Sequence, residues 1–279
     1  MTDANIQYRD LLVALYYDGT SLETRNGTVR SVIDYPPLIF RETPLVTWRK
    51  TAWKKALREM EWFLSGDSLC PPELRDWWDG QLNPDGCYLH GYGYQWRSFG
   101  HREFGYDQIK SLLDGIRTNP HSRRLIATTW HPTEMARITE INQNPATPTT
   151  CHGTVLQAFV RGGRLHLKTY QRSADILLGV PHNWIQYWAL LLYLAHWTRL
   201  EPGTLCWIFG DLHLYLDQTH VECAEEFLGL DPLPAPARCT LRYQPSVAWT
   251  GAIPEFKAAD FVMEGEVPEP VIKIRPRLL

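Results

Sequence analysis

The run WIQYWALLLYLAHW at residues 184–197 sets the first limit on what this chain can fold into. Its fourteen residues fall short of the roughly 20 that a bilayer span needs. A helix apolar around most of its circumference must be covered on every side. It therefore reads as a buried core helix, closed by Gly203 after Arg199 and Pro202. At 279 residues the chain reaches the upper edge for one core. A single domain over residues 1–279 is expected. Twelve tryptophans fit aromatic core packing, and some suit stacking on a flat ligand.

Periodicity supplies the other elements. Residues 6–17 carry apolar side chains at helical spacing and stop at Asp18-Gly19. Residues 51–64 read as a helix with Trp53, Ala56, Leu57, Met60 and Leu64 on one face. Residues 108–117 read as a short amphipathic helix. Residues 31–40 look extended, broken by Pro36-Pro37, and residues 125–130 are β-like. Residues 155–160 and 164–170 flank Gly162-Gly163, a hairpin turn signal. Ideal pairing about that turn sets Cys151 opposite about Ala174, with a bulge able to shift it by a residue or two. The stretch Thr149-Thr150-Cys151-His152-Gly153-Thr154 then lies beside Tyr170-Gln171-Arg172-Ser173-Ala174-Asp175.

That juxtaposition bears on Cys151. A lone cysteine is most often a small buried hydrophobe. A neighbouring guanidinium favours the thiolate, which is the nucleophile, so Arg172 is expected to lower the Cys151 pKa. His152 is a poor base for this thiol, because adjacent strand residues face opposite ways. A cysteine hydrolase would need a histidine from elsewhere. His213 and His220, with an acid between them, are the nearest approach to a metal pair, and histidines so spaced more often bond locally; no metal is expected. A net charge of -3 gives no basic field to hold a nucleic-acid polymer. Six scattered cysteines without a Cys-x-x-Cys pair, and no signal-like N-terminus, point to a reducing cytoplasm and no membrane partner.

The residues resemble the thymidylate synthase family. The most specific stretch is Tyr170-Gln171-Arg172-Ser173-Ala174-Asp175 followed by Leu178-Gly179-Val180-Pro181-His182-Asn183. In order along the chain stand Arg25-Asn26-Gly27-Thr28, Glu59 with Trp62-Phe63-Leu64, Tyr92-Gly93-Tyr94-Gln95-Trp96-Arg97, Ser122-Arg123-Arg124, Cys151-His152 and Gly210-Asp211-Leu212-His213-Leu214-Tyr215. The resemblance implies a mixed α/β (α+β) fold, a twisted mixed sheet packed with helices, and a homodimer formed across that sheet. It implies one-carbon transfer from 5,10-methylenetetrahydrofolate to carbon 5 of a pyrimidine nucleoside monophosphate, without a metal.

By the same resemblance, Cys151 is the nucleophile that adds to carbon 6 of the base. Arg25, Gln171, Arg172 and Ser173 stand where substrate is bound, the arginines and serine on its phosphate. Arg123 and Arg124 match the pair that reaches the partner's phosphate. Asn183 matches the reader of the base edge and leans toward uracil; His213 and Tyr215 match the residues on the sugar hydroxyl. Glu59 matches the acid that organises water for proton transfer, with Tyr92 and His152 in the water network. Trp78, Asp175 and Gly179 stand at pterin contacts, and Arg49 at the glutamate tail of folate.

Several stretches depart from the family pattern. The segment between Trp130 and Cys151 is long, Thr149-Thr150 replaces an apolar-proline approach, Gln81 replaces a tryptophan, and His182 stands where phenylalanine is usual. The tail Arg275-Pro276-Arg277-Leu278-Leu279 is basic. A methyl product needs a dry pocket for hydride transfer, whereas polar replacements admit water. A hydroxymethyl product is therefore expected over a methyl one. An inactive nucleotide-binding or RNA-binding relative is the non-enzymatic alternative.

Overall fold

In chain order the strands of this computed structural model are β1 (Thr20–Thr24), β2 (Gly27–Val32), β3 (Leu38–Phe40), β4 (Ile126–Ala127), β5 (Val155–Arg161), β6 (Arg164–Asp175), β7 (Glu201–Tyr215), β8 (Thr240–Tyr243) and β9 (Phe261–Glu264). The helices are α1 (Ala4–Val13), α2 (Trp53–Ser65), α3 (Arg75–Trp78), α4 (Tyr92–Arg97), α5 (Gln108–Thr118), α6 (Pro132–Met135), α7 (Ile138–Ile141), α8 (Val180–Thr198) and α9 (Gln218–Leu228). The structure describes residues 3–100, 104–247 and 254–272. The basic tail singled out above, residues 275–279, lies outside the described residues.

The main sheet runs β1-β2-β7-β6-β5-β4, with β3 also on β7. Every pairing in it is antiparallel except β6 with β7. Parallel neighbours need a long crossover, and α8 provides it. The apolar run of residues 184–197 folds as that helix, beginning at Val180, and packs on α2, β6 and β7. Trp184 and Tyr187 of the helix and Trp207 of β7 are fully buried rings. Arg199, not Gly203, ends it, in left-handed geometry at φ 58°. Gly203 lies inside β7, where a Cβ would come within 2.6 Å of the His166 ring. Its role is close packing between strands.

Helices cover one face of the sheet. On the other, Ile39, Ile126, Val155 and Tyr170 remain exposed. Ile39, Cys206, Lys168, Gln157 and Ile126 form one cross-strand row there. Among the described residues no helix is long and apolar enough to cross a membrane.

The hairpin follows its sequence signal. Gly162 and Gly163 hold φ at 56° and 73°, as a two-residue turn of this hand requires, and Arg161 pairs with Arg164. The ladder stops at Val155 opposite Tyr170. Gly153, at φ 62°, turns the chain before β5, so Cys151 does not reach Ala174. Its carbonyl instead accepts from the Arg172 N–H at 2.9 Å. The expected strand over residues 125–130 shrinks to Ile126–Ala127. Thr128 and Thr129 leave the ladder because their hydroxyls donate to the carbonyls of Thr154 and His152.

Candidate active site

The sheet edge delivers the thiol and α2 delivers a carboxyl. The Cys151 thiol donates to the Thr149 carbonyl at 3.3 Å, and Nη2 of Arg172 lies 3.7 Å from the same sulfur. Arg172 is itself anchored: Nε donates to the Thr150 carbonyl at 2.9 Å and Nη2 donates to the Thr149 hydroxyl. Its guanidinium lies 5.1 Å from the Trp130 ring centre, within cation–π range. Burial pushes the Cys151 thiol up, while Arg172 and the Tyr92 hydroxyl pull it down. Burial is the larger effect, so the thiol stands above its ordinary value overall, while the Arg172 guanidinium lowers it in the direction expected.

Behind the thiol, Tyr92 stacks between Phe63 and His152 at 4.4 and 4.3 Å. Its hydroxyl accepts from the Cys151 N–H at 2.7 Å. His152 Nδ1 lies 3.0 Å from the Tyr187 hydroxyl. Burial pushes the His152 pKa down to about 3, so this imidazole is neutral at ordinary pH. As read from the sequence, it does not serve the thiol as a base.

Glu59 projects from the buried face of α2, among Met60, Phe63 and Trp62. The Trp78 indole N–H donates to Oε1 at 2.6 Å, and Gln186 Nε2 donates to Oε2 at 2.7 Å. Burial outweighs these bonds and pushes the Glu59 pKa up to about 7. A carboxyl so tuned can both give and take a proton near neutral pH. Glu61 instead turns to Arg58 and to the Ala258 N–H.

Asn183 sits one turn into α8, where Gly179 precedes the helix and its carbonyl accepts from the Asn183 N–H at 2.9 Å. The Asn183 side chain is buried, with Oδ1 accepting from Gln171 Nε2 at 3.0 Å and Nδ2 donating to Gln186 Oε1 at 3.1 Å. Asp175 Oδ1 accepts from the N–H groups of Leu177 and Leu178. His182 departs from what its polarity suggests. Nδ1 lies 2.7 Å from the Leu178 carbonyl and Nε2 accepts from the Ala52 N–H at 3.2 Å. Its ring faces Trp77 at 4.9 Å, and burial pushes its pKa down to about 4.

These groups share one cavity of about 1010 Å³, ample beyond a single drug-sized ligand. Cys151, His152, Glu59, Tyr92, Asn183, Gln171, Arg172, Ser173, Asp175, Arg25, His213, Tyr215, Gly179 and Trp78 all line it. Trp77, Trp78 and His182 add flat aromatic surfaces to its lining. One wall comes from residues 135–149, including Met135, Ile138, Thr139, Thr147 and Thr149. That wall is pinned by Asn142, whose amide bonds both the N–H and the carbonyl of Leu89.

Three expected residues lie elsewhere. Arg49 is buried and donates to the Leu177 carbonyl and the Tyr8 hydroxyl, beside a separate cavity of about 380 Å³. Arg123 and Arg124 are exposed at the entrance to β4 and do not line this cavity. Among the described residues no group of three His, Cys, Asp or Glu side chains is arranged to hold a metal ion; His220 instead pairs with Asp217 at 2.5 Å. Sequence reasoning missed Gln186 and the anchoring role of Thr149. Gln186 carried a signal: a carboxamide inside a buried apolar helix must have partners.

A thiol beside a guanidinium, facing a carboxyl poised near neutrality, fits an enzyme that works by nucleophilic addition with acid–base assistance. The family model for thymidylate synthase matches residues 6–277 of the chain. The chain belongs to the thymidylate synthase family. Membership makes it a folate-dependent one-carbon transferase acting on a pyrimidine nucleotide, with methylenetetrahydrofolate as co-substrate.

Proposed function

We propose that this chain, working as one catalytic domain in a cytoplasmic homodimer, transfers a one-carbon unit to carbon 5 of dUMP and releases a hydroxymethyl product. The observation that carries the reading is the convergence of Cys151, Arg172, Glu59 and Asn183 on one cavity. Cys151 adds as thiolate to carbon 6, and Arg172 steadies the anionic sulfur. The ring becomes an enolate nucleophilic at carbon 5. Methylenetetrahydrofolate supplies the one-carbon unit and, on a methylating branch, the hydride. Glu59, with Tyr92 and the buried His152 behind the thiol, serves the proton transfers at the base.

Arg25, Arg172 and Ser173 hold the phosphate, Gln171 supports the base reader, and His213 and Tyr215 hold the sugar. The exposed Arg123 and Arg124 complete the phosphate site of a second copy docked on the uncovered sheet face. The apolar side chains Ile39, Ile126, Val155 and Tyr170 on that face support this docking. Trp78, Asp175 and Gly179 meet the folate, and Arg49 lies on the side where its tail would leave.

The base is uracil by a positional argument. Carbon 4 adjoins carbon 5, so its substituent faces the side served by Glu59. On that side Asn183 presents Nδ2, a donor, which suits the oxygen of uracil rather than the amino group of cytosine. The hydroxymethyl product is supported by the polar side chains Gln81, Thr139, Thr147 and Thr149 on the cavity wall. Loss of the carbon 5 proton expels tetrahydrofolate, unoxidised, and leaves an exocyclic methylene on the base; water adds its oxygen there and loses one proton, and the Cys151 thiolate is expelled. A methyl product is the second reading, favoured by His182: with both nitrogens engaged by backbone, its ring offers the cavity a neutral flat surface much as phenylalanine would.

Mass spectrometry of the product from labelled dUMP and methylenetetrahydrofolate tests the branch. A hydroxymethyl mass without dihydrofolate supports it; a methyl mass with stoichiometric dihydrofolate rejects it. A covalent adduct with 5-fluoro-dUMP and cofactor separates an enzyme from an inactive binding relative.

A further inference from the structure

Four side chains form a directional chain of hydrogen bonds beside the thiol. Gln171 Nε2 donates to Asn183 Oδ1 at 3.0 Å, Asn183 Nδ2 donates to Gln186 Oε1 at 3.1 Å, and Gln186 Nε2 donates to Glu59 Oε2 at 2.7 Å. All four are buried: Gln171 and Gln186 are at most 1% exposed, Asn183 6% and Glu59 8%.

Amide oxygen and nitrogen look alike, so the direction must come from the partners. Here both ends supply it. Gln186 Nε2 also donates to the Ala56 carbonyl at 3.0 Å. A backbone carbonyl only accepts, so the Ala56 contact alone fixes that amide nitrogen, whichever protonation state Glu59 holds. At the opposite end Gln171 Nε2 donates to the Ser173 carbonyl at 3.2 Å, which fixes it likewise. Asn183 lies between one compelled donor and one compelled acceptor. Turning its amide over would set two N–H groups against each other and two oxygens against each other, which is costly for side chains this deeply buried. What is left over is one N–H on the Gln186 side and one lone pair on the Gln171 side.

We propose that Gln186 is a specificity-determining residue: through this chain it locks the Asn183 amide in one orientation, so that the cavity binds uracil nucleotides and rejects cytosine nucleotides. The inference rests on the reading that Asn183 contacts the base. Gln186 touches no substrate itself; it acts through Asn183 at one end and Glu59 at the other. Released from Gln186, the Asn183 amide is held at one end only, by Gln171, and turns over more readily to present its oxygen to an amino group.

The test measures dissociation constants for dUMP and dCMP by quenching of tryptophan fluorescence, in wild type, Gln186→Leu, Gln186→Glu and Asn183→Asp. The leucine removes the acceptor, and the dCMP-to-dUMP ratio of dissociation constants should fall by about tenfold or more. The glutamate keeps an acceptor facing Asn183, so the ratio should stay within about twofold of wild type. It removes the donor to Glu59, so the pH limb of activity should move upward. A folded Gln186→Leu protein with the wild-type ratio would overturn the lock. Should leucine prevent folding, Gln171→Leu frees the other end and must lower the ratio in the same direction. If Asn183→Asp leaves the ratio unchanged, Asn183 does not read the base, and that failure removes both the reading and the lock. If Asn183→Asp shifts the ratio and Gln186→Leu does not, only the lock fails.

Discussion

Arg172 and Cys151 face each other across 3.7 Å, guanidinium nitrogen to sulfur, yet the thiol stands above its ordinary value because burial outweighs the attraction. The free enzyme should therefore alkylate slowly at neutral pH, with a rate that climbs as pH rises past the usual thiol range. Arg172→Gln removes the principal effect that lowers this pKa and should move the inflection higher still. The rate of iodoacetamide capture at Cys151 against pH, followed by mass spectrometry, measures both. An inflection that stays in place in the variant would remove Arg172 from the thiol's electrostatics. Cys151→Ser should lower turnover by about a thousandfold or more.

Glu59 ties activity and stability to the same pH range. Its pKa rises from 4.5 to about 7 on folding. A carboxyl raised in this way contributes stability below its unfolded value, and that contribution is lost as pH climbs to the folded value. The displacement corresponds to about 3 kcal/mol. The stability difference between wild type and Glu59→Gln should therefore drift against wild type by this order between pH 4.5 and 7, then level off. Denaturant melts across that range give the difference, and a flat line would remove the raised carboxyl. Turnover of Glu59→Gln should fall by about 10²–10⁴ and lose its limb near pH 7.

His152 behaves in the opposite sense. Its pKa is pushed from 6.5 down to about 3, so the stability it lends is complete above 6.5 and lost as pH falls toward 3. His152→Phe keeps a ring against Tyr92 and should lessen acid sensitivity in that window, compared with wild type by melts at successive pH values. A variant as acid-sensitive as wild type would exclude this imidazole as the cause.

Asn142 is wholly buried and makes three hydrogen bonds, to the N–H and carbonyl of Leu89 and to the Ile138 carbonyl. Asn142→Ala leaves the Leu89 N–H and carbonyl without these partners, while the Ile138 carbonyl keeps the Asn142 backbone N–H, and should cost about 2–4 kcal/mol. Since the same amide pins the wall formed by residues 135–149, the KM for the nucleotide should rise along with the loss in melting temperature. Unchanged melting would show that the clasp is replaceable.

The proposed homodimer predicts complementation. Protomers carrying Cys151→Ser should be inactive, and so should protomers carrying Arg123→Glu with Arg124→Glu. Refolded together, they form mixed dimers in which one site regains an intact thiol and intact partner arginines. Activity should return to a fraction of wild type. Its absence in mixtures shown to contain mixed dimers would exclude a shared phosphate site.

Much of this arrangement was legible in residue order, and the gaps have physical causes. The double glycine after Arg161 announced the hairpin, and the apolar run beginning at Trp184 announced the central helix, because both patterns are local. Cys151 meets Arg172, two residues from Ala174 and inside the shift allowed for a bulge, because a left-handed Gly153 interrupts the strand; glycine permits that conformation without requiring it, so the offset itself was not legible. That burial outweighs Arg172 at the thiol was not legible, since burial depends on what packs around it, and α2 lies far from Cys151 in sequence. Gln186 was visible as a polar intruder in an apolar helix. Its partners, Glu59 and Asn183, come together only when α8 packs on α2.

The turn at Gly162-Gly163 stands at the opposite end of its hairpin from the sulfur, yet it sets which residue Cys151 meets. A single residue inserted there would slide β5 by one position against β6, and a strand moved by one position presents its other face. The guanidinium would then look away from the thiol, although every reactive group was still present in the polypeptide. Tolerance to length change at this surface loop should accordingly be lower than at a typical exposed bend.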